Sequence, residues 1–159
     1  MSMPMSMAHK KITFRQQLRR LFHREKPTGR RHEPSSRTVR MMDELDKKLP
    51  LWVERKGYRD PARTLEETAR QLGTEKGILQ RYFHERMQVD FRTWRTRLRI
   101  EEAKYLLLSE LDTPASVIAG KVGFSDRSNF CRQFTALTGT TPGAWRKQAT
   151  RLTTDSLQG

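Results

Sequence analysis

Two near-copies of one short pattern, about fifty residues apart, constrain this chain more than any other feature in it. The first reads Ala69-Arg70-Gln71-Leu72-Gly73, a short turn, then Leu79-Gln80-Arg81-Tyr82-Phe83. The second reads Ala119-Gly120-Lys121-Val122-Gly123, a short turn, then Phe130-Cys131-Arg132-Gln133-Phe134. Each copy puts a small residue in one helix, stops that helix at glycine, and opens a second helix of pattern apolar-x-Arg-x-Phe. That is the grammar of a helix-turn-helix, written twice. Ala69 and Ala119 sit where the two helices of each unit cross closely, and a bulkier residue there would push them apart.

The rest of the chain from Val39 onward reads as helical throughout, which predicts an all-α fold of seven helices. A first helix is expected near Met41–Lys56, with Leu45, Leu49, Trp52 and Val53 on one face and Pro50 as a kink. Gly57 to Pro61 breaks it. Thr64 and Glu67 form a capping box, so a second helix starts at Leu65 and stops at Gly73. The third covers Glu75–Met87 and a long fourth covers Phe91–Ser109. Thr113-Pro114 reads as an N-cap with proline at the first helical position, opening a fifth helix that ends at Gly123. Ser125 caps a sixth that runs to Thr138. Thr141-Pro142 opens a short seventh through Trp145.

Charge is unevenly spread. The chain of 159 residues carries 32 Lys and Arg against 18 Asp and Glu, a net +14. Residues 1–37 hold ten of the cations and two Glu, a local +8. A balance of this sign calls for a polyanionic partner, nucleic acid or an anionic membrane surface, and does not by itself choose between them. Residues 1–37 are expected to be a basic, largely disordered tail. Within it Phe14, Leu18, Leu21 and Phe22 fall on one face of an amphipathic helix over 10–25. Residues 27–36 read as its linker, 38–150 as the folded domain, and 151–159 as a disordered C-terminus. No apolar run is long enough to span a bilayer. The N-terminus shows no signal-peptide pattern, and the single Cys131 fits a reducing compartment. A cytoplasmic, nucleoid-associated protein is expected.

The outward faces carry the chemistry. Burying Leu79 with Phe83, and Phe130 with Phe134, as i, i+4 pairs turns the opposite faces to solvent. The first shows Lys76, Gly77, Gln80, Arg81 and His84; the second shows Arg127, Ser128, Cys131 and Arg132. Arg and Lys pair with guanine, Gln pairs with adenine, Ser is versatile, and Cys is small enough to meet a thymine methyl. Lys76, Gln80, Arg81, Arg127, Ser128, Cys131 and Arg132 are therefore expected at base edges in the major groove. Lys121, Arg146 and Lys147 are expected at phosphates. The fourth helix is about 28 Å long at 1.5 Å per residue. Recognition helices on one face of B-DNA lie about 34 Å apart. Such a strut, with the width of the lobes, lets a monomer span two successive groove segments.

With these residues in view, 43–148 resemble the DNA-binding domain of AraC/XylS-type bacterial transcription regulators, a match over about two thirds of the chain. The likeness rests on Gly123-Phe124-Ser125, Phe130-x-Arg132-x-Phe134, Gly139-x-Thr141-Pro142 and Trp145-Arg146, in family order and spacing. Arg99 to Leu107 resembles the family's linker helix. The resemblance implies a seven-helix, two-lobed fold with both recognition helices in adjacent major grooves. It also implies contact with RNA polymerase, usually for activation. Two positions depart from the pattern. Gln88 stands where the family usually has glycine, and Gly77 where many members carry a larger groove-facing residue. The second unit is therefore expected to specify sequence, and the first mainly to hold phosphates.

Two rival readings stay open. One is a general nucleic-acid-binding protein acting through charge and shape. The other is a membrane or partner-docking module working through the basic N-terminal helix. The four histidines lack metal-ligand spacing, and no phosphate loop or nucleophile motif is present, so no enzyme, cofactor or metal is expected. No effector-binding domain is evident. Trp52, Trp94 and Trp145 read as core, and Glu101 and Glu102 as the solvated face of the fourth helix.

Overall fold

Ser35 opens the structure with a cap. In this computed structural model, residues 34–157 are described, with side-chain burial for 34–148 and 151. The amphipathic segment expected over 10–25 lies outside the described residues. Seven α-helices and no strand occur among the described residues: α1 Ser36–Glu54, α2 Leu65–Gln71, α3 Lys76–Tyr82, α4 Phe91–Ser109, α5 Ala115–Lys121, α6 Arg127–Thr138 and α7 Pro142–Leu157. A 3-10 turn at Gly57–Arg59 follows α1, and a π-helical turn at Phe83–Met87 continues α3.

Four boundaries differ from the sequence reading, three of them at helix starts where the cap decides. The Ser35 hydroxyl accepts from the Thr38 amide, so α1 starts within the stretch read as linker, ahead of its first buried residue, Met42. Pro114, not Thr113, is the N-cap of α5, with extended ψ of 142° and no side-chain cap. Asp126 displaces Ser125 as the cap of α6, because its two carboxylate oxygens take both the Ser128 and Asn129 amides. Finally α7 runs on to Leu157, into the segment 151–159 read as a disordered C-terminus.

Two separate cores share one helix. The first gathers Leu45, Leu49, Trp52 and Val53 of α1 with Ala69, Leu72, Leu79, Tyr82 and Phe83. The second gathers Ile118, Ala119, Val122, Phe124, Phe130 and Phe134. The N-terminal half of α4 supplies Phe91, Trp94 and Leu98 to the first, and its C-terminal half supplies Ile100, Ala103 and Leu107 to the second. Rings dominate both. Phe83 and Trp94 lie 4.9 Å apart in the first, and Phe124 and Phe130 lie 5.3 Å apart in the second. These are separations at which edge-to-face and tilted pairs attract.

The repeat seen in the sequence is a repeat in space. The burial pattern of residues 61–72 recurs position by position at 111–122. Gly73 and Gly123 both take positive φ, 68° and 98°, and end α2 and α5 in the left-handed conformation that glycine tolerates. The amide of Thr74 reaches back to Ala69, and that of Phe124 to Ala119, each at 2.9 Å. The turn of the second unit is one residue longer, and the register then holds again. Arg95 donates to the carbonyl of Arg63, and Arg146 donates to that of Thr113 at 2.6 Å.

Between the cores the contacts are polar. Glu102, read from sequence as solvated, is only 3% exposed. Its carboxylate accepts from Lys56 at 2.7 Å, from the Tyr58 hydroxyl at 2.9 Å, and from Arg59 through Nε at 2.9 Å and Nη2 at 2.5 Å. Buried Arg99 donates to the carbonyls of Tyr58 at 2.7 Å and Asp60 at 3.0 Å. Its guanidinium also lies 5.7 Å from the centre of the Phe124 ring. The loop of residues 56–60 thus meets the turn at Gly123, where a Cβ would stand 2.0 Å from the Arg59 carbonyl oxygen.

Candidate nucleic-acid interface

Each helix-turn-helix unit sets its second helix against its own core and leaves one face to solvent. In α3, Leu79 and Tyr82 are buried, while Lys76, Gly77 and Gln80 are exposed and Arg81 half-buried. In α6, Phe130 and Phe134 are buried, while Arg127, Ser128 and Arg132 are exposed and Cys131 half-buried. The seven residues expected at base edges therefore sit on two equivalent helix faces.

Their immediate partners differ. Arg81 is tied to Glu85 one turn on, Nε to Oε1 at 3.0 Å. Arg132 donates to the Asn129 side chain at 3.0 Å, a neutral acceptor that orients the fork without cancelling its charge. Asn129 escaped the sequence reading, although its i, i+3 spacing to Arg132 on one helix face was a usable signal. Of the three residues expected at phosphates, Lys147 is exposed and Lys121 pairs with Glu110 at 2.6 Å. Arg146 is held differently. Its guanidinium donates to the carbonyls of Leu107, Glu110 and Thr113, so the structure gives it the work of closing the C-terminal end of α4 onto α7.

A groove of about 830 Å³ lies beside α3, walled by Arg63, Gln80, Arg81, Arg92 and Arg95 with Phe83 and Phe91 also lining it. Its four arginines face two acids, Glu85 and Asp90. That adds a cationic margin to the exposed face of α3, and Arg63, Arg92 and Arg95 were not singled out from the sequence.

Burial shapes the charges at the junction. It lowers the Arg99 pKa to about 10, assisted by repulsion from Arg95, which leaves the group cationic at neutral pH. Burial would raise the Glu102 pKa, but hydrogen bonds from Arg59 and Lys56 outweigh it and hold the carboxyl below its ordinary value. Burial, and then the Glu102 charge, push the Tyr58 hydroxyl well above its usual range. The junction is therefore a carboxylate among donors.

Among the described residues no helix is long and apolar enough to cross a membrane, and no group of three His, Cys, Asp or Glu side chains is gathered to hold a metal ion. Two helix-turn-helix units hung on one shared helix define a double helix-turn-helix DNA-binding domain. The family described as "Helix-turn-helix domain" matches residues 68–148. Over 85 residues the chain is 35% identical to the uncharacterized HTH-type transcriptional regulator YtdP of Bacillus subtilis (strain 168). That alignment covers 54% of this chain and 11% of YtdP, so the chain spans about a tenth of that relative. Among solved structures, the C-terminal domain of AraT, a response regulator from Geobacillus stearothermophilus, is 25% identical with a TM-score of 0.53, covering 74% of this chain and 88% of that one. The C-terminal domain of the two-component response regulator YesN from Fusobacterium nucleatum is 29% identical with a TM-score of 0.56, covering 63% and 96%. The chain belongs to the AraC/XylS-type helix-turn-helix family of DNA-binding transcription regulators.

Proposed function

We propose that this protein is a sequence-specific reader of double-stranded DNA that seats α3 and α6 in successive major-groove segments of one duplex face. The carrying observation is the spatial repeat: two recognition helices on equivalent frames, joined through one helix common to both cores. A monomer built this way holds two reading heads, the role that a dimer fills in single-headed helix-turn-helix proteins. Lys76, Gln80 and Arg81 on α3, and Arg127, Ser128, Cys131 and Arg132 on α6, supply the base-edge contacts. Lys121 and Lys147 reach phosphates at the flank of the second unit. Once seated, the protein regulates transcription, and the family resemblance supports activation through contact with RNA polymerase.

Selection from random duplex DNA at near-physiological salt tests the reading. The expected product is a bipartite motif with its halves one helical turn apart. Recovery of no motif, with binding that collapses as salt rises, would sink it in favour of a charge-driven binder. Removing residues 1–33, which carry nine Lys and Arg against two Glu and precede the Ser35 cap, should flatten the salt dependence and leave the motif unchanged.

A further inference from the structure

We infer that Glu102 is a positioning residue for DNA recognition. With Arg99 it clamps the 56–60 loop of the first unit against the Gly123–Phe124 turn of the second, and so sets the half-site spacing that the protein accepts. This inference rests on the two-headed reading above and adds what determines the distance between the heads.

The two apolar clusters are separate, and each takes only its own half of α4. Apolar contact is also non-directional, so two cores sharing a rod would resist pulling apart better than they would resist rocking. The directional contacts lie between them. Four hydrogen bonds converge on the Glu102 carboxylate from Lys56, Tyr58 and Arg59, three neighbours in a single loop. Three residues earlier on the same helix, Arg99 grips that loop by two carbonyls. On the far side, the bare Cα of Gly123 lets the Arg59 carbonyl approach to a distance no side chain permits, and Phe124 lies under the Arg99 guanidinium. One loop is thus bonded to α4 and seated on the second unit's turn. The Glu102 carboxylate is buried while its Lys56 and Arg59 partners stay 34% and 40% exposed, so the network fixes one geometry and solvent screens what it adds to stability. A positioning role and a stabilising role therefore separate by experiment.

DNA converts that geometry into spacing. Each base pair added between half-sites rotates the far one by about 35° around the duplex. A rigid pair of heads accepts one spacing, and a hinged pair accepts several.

The test measures affinity for duplexes carrying the selected half-sites at the preferred spacing and at one and two base pairs either side. The unaltered protein should lose about tenfold or more for a one-base-pair change, the loss of about one good base contact. Glu102→Gln keeps the shape and removes the charge; it should compress that penalty to about threefold while base preference inside each half-site stays the same. Tyr58→Phe removes a single bond of the clamp, keeps the ring, and should move the profile the same way by less. Leu49→Ala, in the first core and making none of the clamp's hydrogen bonds, should lower the unfolding temperature and leave the spacing profile sharp. An unchanged profile in both Glu102→Gln and Tyr58→Phe overturns the inference, as does equal broadening by Leu49→Ala. A profile already flat in the unaltered protein overturns the two-headed reading, and the inference with it.

Discussion

The two helix-turn-helix units reach the same frame by different means. The second is written locally. Asp126 caps both free amides at the start of α6, and Gly139, at φ 78°, ends it in the left-handed conformation. The first lacks both devices. Glu75 at the start of α3 makes no capping bond, the helix passes into a π turn at Phe83, and Gln88 takes φ 49° where its counterpart is glycine. What holds α3 instead is α1 behind it. The Tyr82 hydroxyl donates to Asp46 at 2.7 Å, and Arg86 bridges Asp43 and Asp46. One recognition helix is specified by its own ends and the other by a neighbour some forty residues away in sequence. The first unit can therefore carry a strained end and a glycine at position 77 that would weaken a helix standing alone by about 1 kcal/mol.

The widest gap between the units should appear at their paired glycines. Gly123→Ala sets a Cβ 2.0 Å from a backbone oxygen and forces φ 98° on alanine, and should destabilise by about 3–5 kcal/mol. Gly73→Ala meets only the flexible Lys48 ammonium at 3.4 Å and should lose about 1–2 kcal/mol in the same urea titrations. Equal losses would break the comparison. On DNA, Arg132→Ala should lower specific affinity by about 1–3 kcal/mol and relax one or two base pairs. Arg81→Ala, already tied to Glu85, should lose about 1 kcal/mol or less when titrated on the same single-base variants. The reverse order would make the first unit the more discriminating one. For the helix starts, Asp126→Ala should lose about 1 kcal/mol, whereas Glu75→Asp should gain up to about as much by supplying the missing cap, both read from thermal unfolding. The smallest change is a correction. Gln88→Gly should stabilise the first unit by about 0.5–1 kcal/mol with no shift in the selected motif, and a loss would show that its left-handed end is held by contacts through the Gln88 side chain.

What could be read from the sequence was what neighbouring residues decide. The bounds of α4, the end of α6 at Thr138 and the Thr64–Glu67 capping box all follow from spacing, caps and glycine stops within a few residues. Adjacent candidates blurred the picture by one position. Ser125 and Asp126 are both cap residues, and only the folded turn shows that the carboxylate reaches two amides. Glu102 was beyond this kind of reasoning. It stands beside Glu101, which pairs with Lys104 within its own helix, while its own partners lie 43 to 46 residues back. The ties of Arg146 were out of reach for the same reason, since its carbonyl partners lie 33 to 39 residues earlier in the chain. The exposed faces of α3 and α6 were legible because they are the remainder of an apolar period.

The shared helix also makes length a heritable constraint. Leu98 ends one core and Ile100 begins the other, with Arg99 between them. Inserting one residue there would turn the second unit by about 100° and advance it by about 1.5 Å. Descendants of this chain can exchange loops, tails and groove-facing side chains one at a time. The length of α4 can change only together with the faces it shows to both cores.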